Sequence, residues 1–336
     1  MATFTVTPRL ESRLLKGLEA LGEDVARIHE SVLKLSDFYL ERPAAPTPWD
    51  MPYALPATLA YFMPLNFARG MAVFRELERF VPSDAIREIW DFGSGLGTTH
   101  WVLEEQDWLT PRALRHIEIS RRAAAFHDDL AAMAPARWKS LGQTAARPGS
   151  GALAVFSYSF LEMPGVDVSA FDHLLILEPS TRERGRALMA KRAELLAAGY
   201  EALAPCTHAG DCPLLVHSPR DWCHQRIHFE APEWWLEMES HLPMRNRTLT
   251  FSYLLLSRAV RDQKWRGATR VIGDTLAEKG KTRQMVCRGP EREFFTWLHK
   301  LGEPPHIPHG ALVADLGVFE KKSDELRVSP AVSWAE

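Results

Sequence analysis

The chain has 336 residues, of which 46% are hydrophobic and 25% charged, and its net charge is −3. That length can bury a sizeable core in two or three structural units, and the composition is that of a soluble globular protein. The near-neutral balance leaves any nucleic-acid contact to a local basic face. No apolar run reaches the length of a membrane span.

The opening segment, "MATFTVTPRLESRLLKGLEALGEDVARIHE", lacks the apolar core of a secretory signal and carries acids that a transit peptide avoids. The expected compartment is cytoplasmic, where thiols stay reduced, so disulfides are a poor account of the cysteines. Residues 8–40 predict a helix, because Leu10, Leu14, Leu18, Leu21, Val25, Ile28, Val32 and Leu35 recur at three- or four-residue spacing. "ERPAAPTPWDMPYALP" follows, with Pro43, Pro46, Pro48, Pro52 and Pro56, and predicts an extended connector. A second helix is expected over about 57–80.

From there strand and helix alternate. Strands are expected over 86–91, 114–120, 151–163 and 171–180, and the helix "RGRALMAKRAELLAAGY" should stop at Gly199. Such alternation implies a parallel, doubly wound α/β sheet. Beyond residue 200 come a cysteine-rich segment, a helical connector at "EWWLEMESHLP", a strong strand over 248–260, and a tail of short apolar runs that suggests a β-rich appendage. The expected organisation is an N-terminal helical region with its connector over 1–80 and a cofactor-binding core over 81–204. The four-cysteine segment, remaining core strands and small β-rich region then fill 205–336.

Two stretches carry chemistry. In "DFGSGLGTT", Asp91 ends a strand and Gly93, Gly95 and Gly97 fill the turn that follows. Glycine lets a backbone take positive φ and approach a ligand closely, and the loop opens into a helix N-terminus. The spacing differs from the dinucleotide fingerprint G-x-G-x-x-G. It resembles the S-adenosylmethionine (SAM) loop of class I methyltransferases. Glu118, in "HIEIS", ends the next strand, where a carboxylate can accept both ribose hydroxyls of a nucleoside cofactor. The loop after the fourth strand, Ser157-Tyr158-Ser159-Phe160, stands where amino-group methyltransferases often carry [DNS]-P-P-[YF], so Ser157 and Tyr158 are the substrate-facing candidates. No catalytic base is evident.

The second stretch is "PCTHAGDCPLLVHSPRDWCHQR", with Cys206, Cys212 and Cys223; Cys287 completes the set downstream. Four thiolates suit zinc or an iron–sulfur cluster. The spacing C-x5-C-x10-C fits neither CxxC zinc knuckles nor ferredoxin runs, and wide spacing on irregular loops is easier to reconcile with a cluster. His208, His217 and His224 could donate to sulfur, contact phosphate or be plain polar loop residues, and four cysteines suffice as ligands without them. Segment 258–288 carries nine Lys or Arg against three acids, with Arg258, Arg261, Lys264, Arg266 and Arg270 around Trp265. Basic side chains with an interleaved aromatic suit RNA phosphates and base stacking.

Taken together, "EALAPCTHAGDCPL", "DWCHQR", "TFSYLLLSR", "RVIG", "QMVCRG" and Glu178-Pro179 resemble the methyltransferase-like assembly factors of the mitochondrial small ribosomal subunit and their bacterial relatives. "PATLAY", upstream of the glycine loop, is similar to a further family element. The resemblance implies a Rossmann-like class I methyltransferase core with N-terminal helices and a cysteine-stapled, β-rich appendage. It also implies a [4Fe-4S] cluster on Cys206, Cys212, Cys223 and Cys287, SAM as cofactor, and association with small-subunit ribosomal RNA in ribosome biogenesis. The chain departs from the family where "EP" is followed by Ser180 rather than Gly-Thr, and where Leu55 precedes "PAT". Three expectations stand: a SAM-dependent RNA methyltransferase, a non-catalytic RNA-binding assembly factor on the same fold, or a small-molecule methyltransferase with a zinc staple.

Overall fold

A computed structural model describes residues 2–24, 27–43, 45–133, 140–141, 147–260 and 265–335. The chain divides into two compact units. One comprises Thr3–Asp172 with Ile227–Leu249, and the other His173–Arg226 with Thr250–Glu336 and the first two residues.

The first unit begins with two helices where the leucine period predicted one. Pro8–Ala20 starts at Thr7, whose side chain accepts from Leu10 N, and Ile28–Glu41 follows. The break is a glycine stop. Gly22 takes φ +68°, its N–H bonds to Glu19 O at 2.9 Å, and Glu23 N–H reaches Leu18 O at 3.1 Å. That paired closure satisfies carbonyls at a helix end and turns the chain away. A further helical run starts inside the expected connector, at Ala54–Ala57, and continues through Met63–Phe80. Pro56 is tolerated because it lies in the first turn, where its missing N–H has no partner to lose. Between these pieces Thr58–Phe62, within "PATLAY", forms a π-helical turn.

Among the described residues, four neighbouring strands of this unit run parallel, and Thr3–Thr5 pairs in parallel with Gln225–Glu230. Glu88–Phe92 lies between Ala113–Ile117 on one side and Ala152–Ser157 on the other, and Ser140–Leu141 extends the sheet beyond Ala113–Ile117. The chain therefore moves outward from the first of these strands, then returns to its opposite side. That reversal makes a crevice at the carboxyl end of Glu88–Phe92, where α/β sheets receive ligands. Ala152–Phe156 is buried along its length, as a strand covered on both faces must be.

In the second unit, Thr248–Ser257 runs antiparallel to both His173–Glu178 and Glu201–Ala204. The helix Arg182–Ala197, capped by Thr181, connects the last two, and Gly199 at φ +94° follows its end. A six-stranded sheet forms the appendage, built on the antiparallel strands Thr269–Glu278, Lys281–Cys287 and Glu293–Leu298. Its core gathers Val271, Val286, Phe295, Trp297, Val313 and Leu326. Among the described residues, no helix is long and apolar enough to cross a membrane.

Candidate cofactor loop and four-thiol site

The glycine loop sits at the carboxyl end of Glu88–Phe92, on the reversal point of its sheet. Gly93, Gly95 and Gly97 take φ of +67°, +52° and +79°, and Gly97 caps the helix Thr98–Glu104. Positive φ is costly for other residues, and space forbids them too. A Cβ on Gly93 would come 2.7 Å from Ser159 Cβ, and one on Gly97 would overlap the His127 ring.

Glu118 holds the loop from the neighbouring strand end. Its Oε2 accepts from Gly95 N and its Oε1 from Ser120 N, both at 2.8 Å. Asp91 is only 1% exposed. Its carboxylate accepts from Thr99 Oγ1 at 2.9 Å and lies 3.5 Å from His116 Nδ1. Asp91 thus braces the loop and the helix after it, whereas Glu118 is half-buried beside the loop.

After the strand Ala152–Ser157 the chain turns sharply. Tyr158 sits at φ +64°, a conformation that non-glycine residues adopt rarely and often at functional sites. Ser157 and Tyr158 are both half-buried. Ser159 Oγ donates to Phe92 O at 2.5 Å, and Phe160 packs edge-on against Phe156, so both are committed to packing beneath the loop. Trp49, from the proline-rich connector, was not singled out by the sequence; a Cβ on Gly95 would come 3.2 Å from its ring. Its "PWD" setting is the only signal that marks it.

The thiols converge in the second unit. Cys206, Cys223 and Cys287 are buried, Cys212 is partly exposed, and all four are free. Burial, then the charges of Cys206, Cys212 and Cys287, push the Cys223 thiol well up. Cys287 is raised by burial first and then by Cys206 and Cys212, while Arg192 and Arg270 oppose the rise. Cys212 is raised by burial and Cys206. Thiols raised in this way resist ionising beside their neighbours, and a metal group that takes up their charge removes that cost. The donor set therefore fits a four-thiolate metal centre.

Arginines from the helix Arg182–Ala197 shape the loops that carry these cysteines. Arg186 Nη1 donates to Leu214 O, Ser218 O and Asp221 O at 3.0, 2.8 and 2.9 Å. Arg192 donates to Gly210 O at 3.0 Å and His208 O at 2.5 Å. Ser252 Oγ holds Cys223 O at 2.7 Å, and Trp222 Nε1 donates to Ser180 O at 3.0 Å. Irregular loops need such partners for their carbonyls.

The histidines divide. His208 Nε2 lies 3.3 Å from Cys287 Sγ, and burial, then Arg192, lowers its pKa to about 4. His217 Nε2 faces Pro290 O at 3.1 Å, and the His224 ring lies 5.3 Å from that of His309.

The basic segment is not one face. Arg270 is 1% exposed and donates to Gly310 O at 2.9 Å, so it is a buried tether near the thiols rather than an RNA contact. Arg258 donates to Ala198 O at 2.8 Å and lies over the Tyr200 ring, and Arg266 pairs with Glu201. Trp265 is half-buried; Arg261 and Lys264 lie outside the described residues.

The fold is a mixed α/β sheet flanked by helices, with a second, β-rich sheet. Residues 52–300 match the family described as mitochondrial small ribosomal subunit Rsm22, and the chain belongs to that family. No curated protein matches the sequence. Among solved structures, TYW2 of M. jannaschii, in complex with AdoMet, is 10% identical with a TM-score of 0.33, the match covering 56% of this chain and 77% of that one. The 16S rRNA methylase ArmA is 13% identical with a TM-score of 0.32, over 59% of this chain and 92% of that one. Geranyl diphosphate C-methyltransferase from Streptomyces coelicolor is 13% identical with a TM-score of 0.31, over 60% and 84%.

Proposed function

We propose that this chain is a SAM-binding, methyltransferase-like factor of the small ribosomal subunit that contacts ribosomal RNA. In this reading Cys206, Cys212, Cys223 and Cys287 hold a structural [4Fe-4S] cluster. The observation that carries it is that one family match, over 52–300, takes in the glycine loop and all four cysteines. The loop supports SAM, because Gly93, Gly95 and Gly97 keep side chains away from the reversal point of the sheet while Glu118 stands beside Gly95. The donor set supports a metal group, because burial and the three other cysteines push the Cys223 thiol up. SAM supplies an electrophilic methyl group when bound, and Ser157 and Tyr158 are the residues that would meet its acceptor.

A non-catalytic factor is the second reading, favoured by the commitment of Ser159 to Phe92 O. The two separate on labelled methyl transfer from SAM to immature small subunits. Transfer that disappears with a bulky residue at Gly95 supports the enzyme. Salt-sensitive RNA binding without transfer supports the assembly factor. Methyl transfer to a small molecule with no ribosome association would overturn both. Protein purified without oxygen should be brown, with about four irons per chain; a colourless protein with one zinc would sink the cluster.

A further inference from the structure

The floor of the glycine loop holds side chains that neither cofactor reading uses. His100 comes from the helix Thr98–Glu104, His116 from the strand Ala113–Ile117 and His127 from the helix Arg121–Ala132. All three are buried, at 0, 6 and 2% exposure. One ring nitrogen from each lies within 4.8 Å of the other two, and His100 Nδ1 is 3.0 Å from His127 Nε2.

The nitrogens on the far sides face carboxylates. His100 Nε2 lies 3.6 Å from Glu104 Oε1, and His116 Nδ1 lies 3.5 Å from Asp91 Oδ2, with both acid side chains at most 1% exposed. A metal-bound imidazole is oriented in this way, with one nitrogen on the ion and the other toward an acid.

Hydrogen bonding among the side chains leaves the group unsatisfied. Both nitrogens of His116, Nε2 of His100 and Oδ2 of Asp91 are buried without a hydrogen-bond partner. Three rings joined by a single N···N contact cannot saturate one another, whereas an ion accepts a lone pair from each. Charge also favours a cation. Asp91 has Thr99 Oγ1 and His116 as its polar contacts, and Glu104 shares its charge with Arg9 at 3.3 Å. Arg9 and Arg13, the latter stacked over Trp101 at 4.0 Å and also drawn toward Glu104, are neighbouring positive groups that oppose a cation.

We propose that His100, His116 and His127 form a binding site for one divalent cation of the zinc class, under the glycine loop. Imidazole nitrogen suits such ions, and three histidines leave a fourth position for water. The ion would tie together the three elements that underlie the loop, and the contact between Gly97 and the His127 ring carries that order to the loop backbone. The site is independent of the thiols and does not rest on the ribosomal reading.

The test uses the full-length protein, loaded with zinc and examined by X-ray absorption at the zinc edge. Histidine ligation gives a shell near ~2.0 Å, against ~2.3 Å for thiolate. The expected result is one zinc per chain with a nitrogen shell, lost in His116→Gln and in His127→Gln, together with a rise in Tm of several degrees on loading. Variants that do not fold leave the wild-type spectrum as the deciding measurement. A zinc shell made only of sulfur, no zinc uptake, or nitrogen-ligated zinc that survives both substitutions would overturn the proposal.

Discussion

At the glycine loop the polar groups that matter belong to the main chain, whereas at the thiol segment the main chain is tethered so that side chains can converge. Gly93, Gly95 and Gly97 clear space by having no Cβ, and Glu118 and Asp91 pin the backbone around them. Around the cysteines the reverse holds: Arg186, Arg192 and Ser252 grip loop carbonyls, and the thiols lie near enough for Cys223 to feel the other three. A site built from backbone is vulnerable to added atoms. One built from side chains is vulnerable to lost ones. The substitutions below test that distinction.

The largest effect should come from the thiols. Cys223→Ser removes a proposed ligand whose buried thiol feels the other three, and an oxygen donor there is a poor substitute for soft thiolate. Iron should fall from about four per chain to near zero, with loss of visible absorption and earlier unfolding of the cysteine-bearing unit. Unchanged iron content would mean that these cysteines do not hold the cluster.

Next is Gly97→Val. Strain at φ +79° costs about 1–3 kcal/mol, and overlap with the His127 ring adds overpacking of similar size. SAM affinity, measured by calorimetry, should drop about 1,000-fold. Gly95→Ala, where the Cβ meets only the edge of Trp49 at 3.2 Å, should cost about tenfold. Equal effects at the two positions would show that the positive φ common to both outweighs the overlap with His127.

These two regions were legible to different depths. The alternating glycines could be read because each needs positive φ, and the cysteines because the residue type itself announces the chemistry. Their supports could not be read. Arg186 and Arg192 look like ordinary surface charges on a helix, and Arg270 looked exposed because a run of basic residues usually is. The histidine floor has no sequence signature at all, since His100, His116 and His127 meet only when two helices and a strand pack together. Helix ends failed in one direction: the leucine period continues across Gly22, and periodicity carries no mark of the turn that stops the helix.

Beside the thiol segment, where its ring meets that of His224, His309 sets a pH dependence. Its Nδ1 lies 2.8 Å from Gln225 Oε1, and burial, then His224, lowers its pKa to about 4. The unfolded chain has a value near 6.5, so between the two values it binds a proton that the folded chain does not. Stability is therefore full above about pH 6.5 and falls as the pH drops, by up to about 1.4 kcal/mol per unit, levelling near pH 4. Denaturant titrations of His309→Asn should show a shallower loss over that window. An identical slope in the variant would assign the acid sensitivity to other groups.

The smallest effect sharpens the comparison most. Glu118→Gln keeps the shape and one carbonyl acceptor but removes the charge and turns the other oxygen into a donor. One of the two bonds, from Gly95 N or from Ser120 N, then becomes a clash of donors. Charge-assisted bonds of this kind contribute about 1.5–3 kcal/mol, and partial exposure of Glu118 brings the expected loss toward the lower end. SAM affinity should fall about tenfold, with little change in iron content or in the melting of the cysteine-bearing unit. A loss of both cofactor affinity and iron would mean that the backbone-built and side-chain-built sites are energetically one.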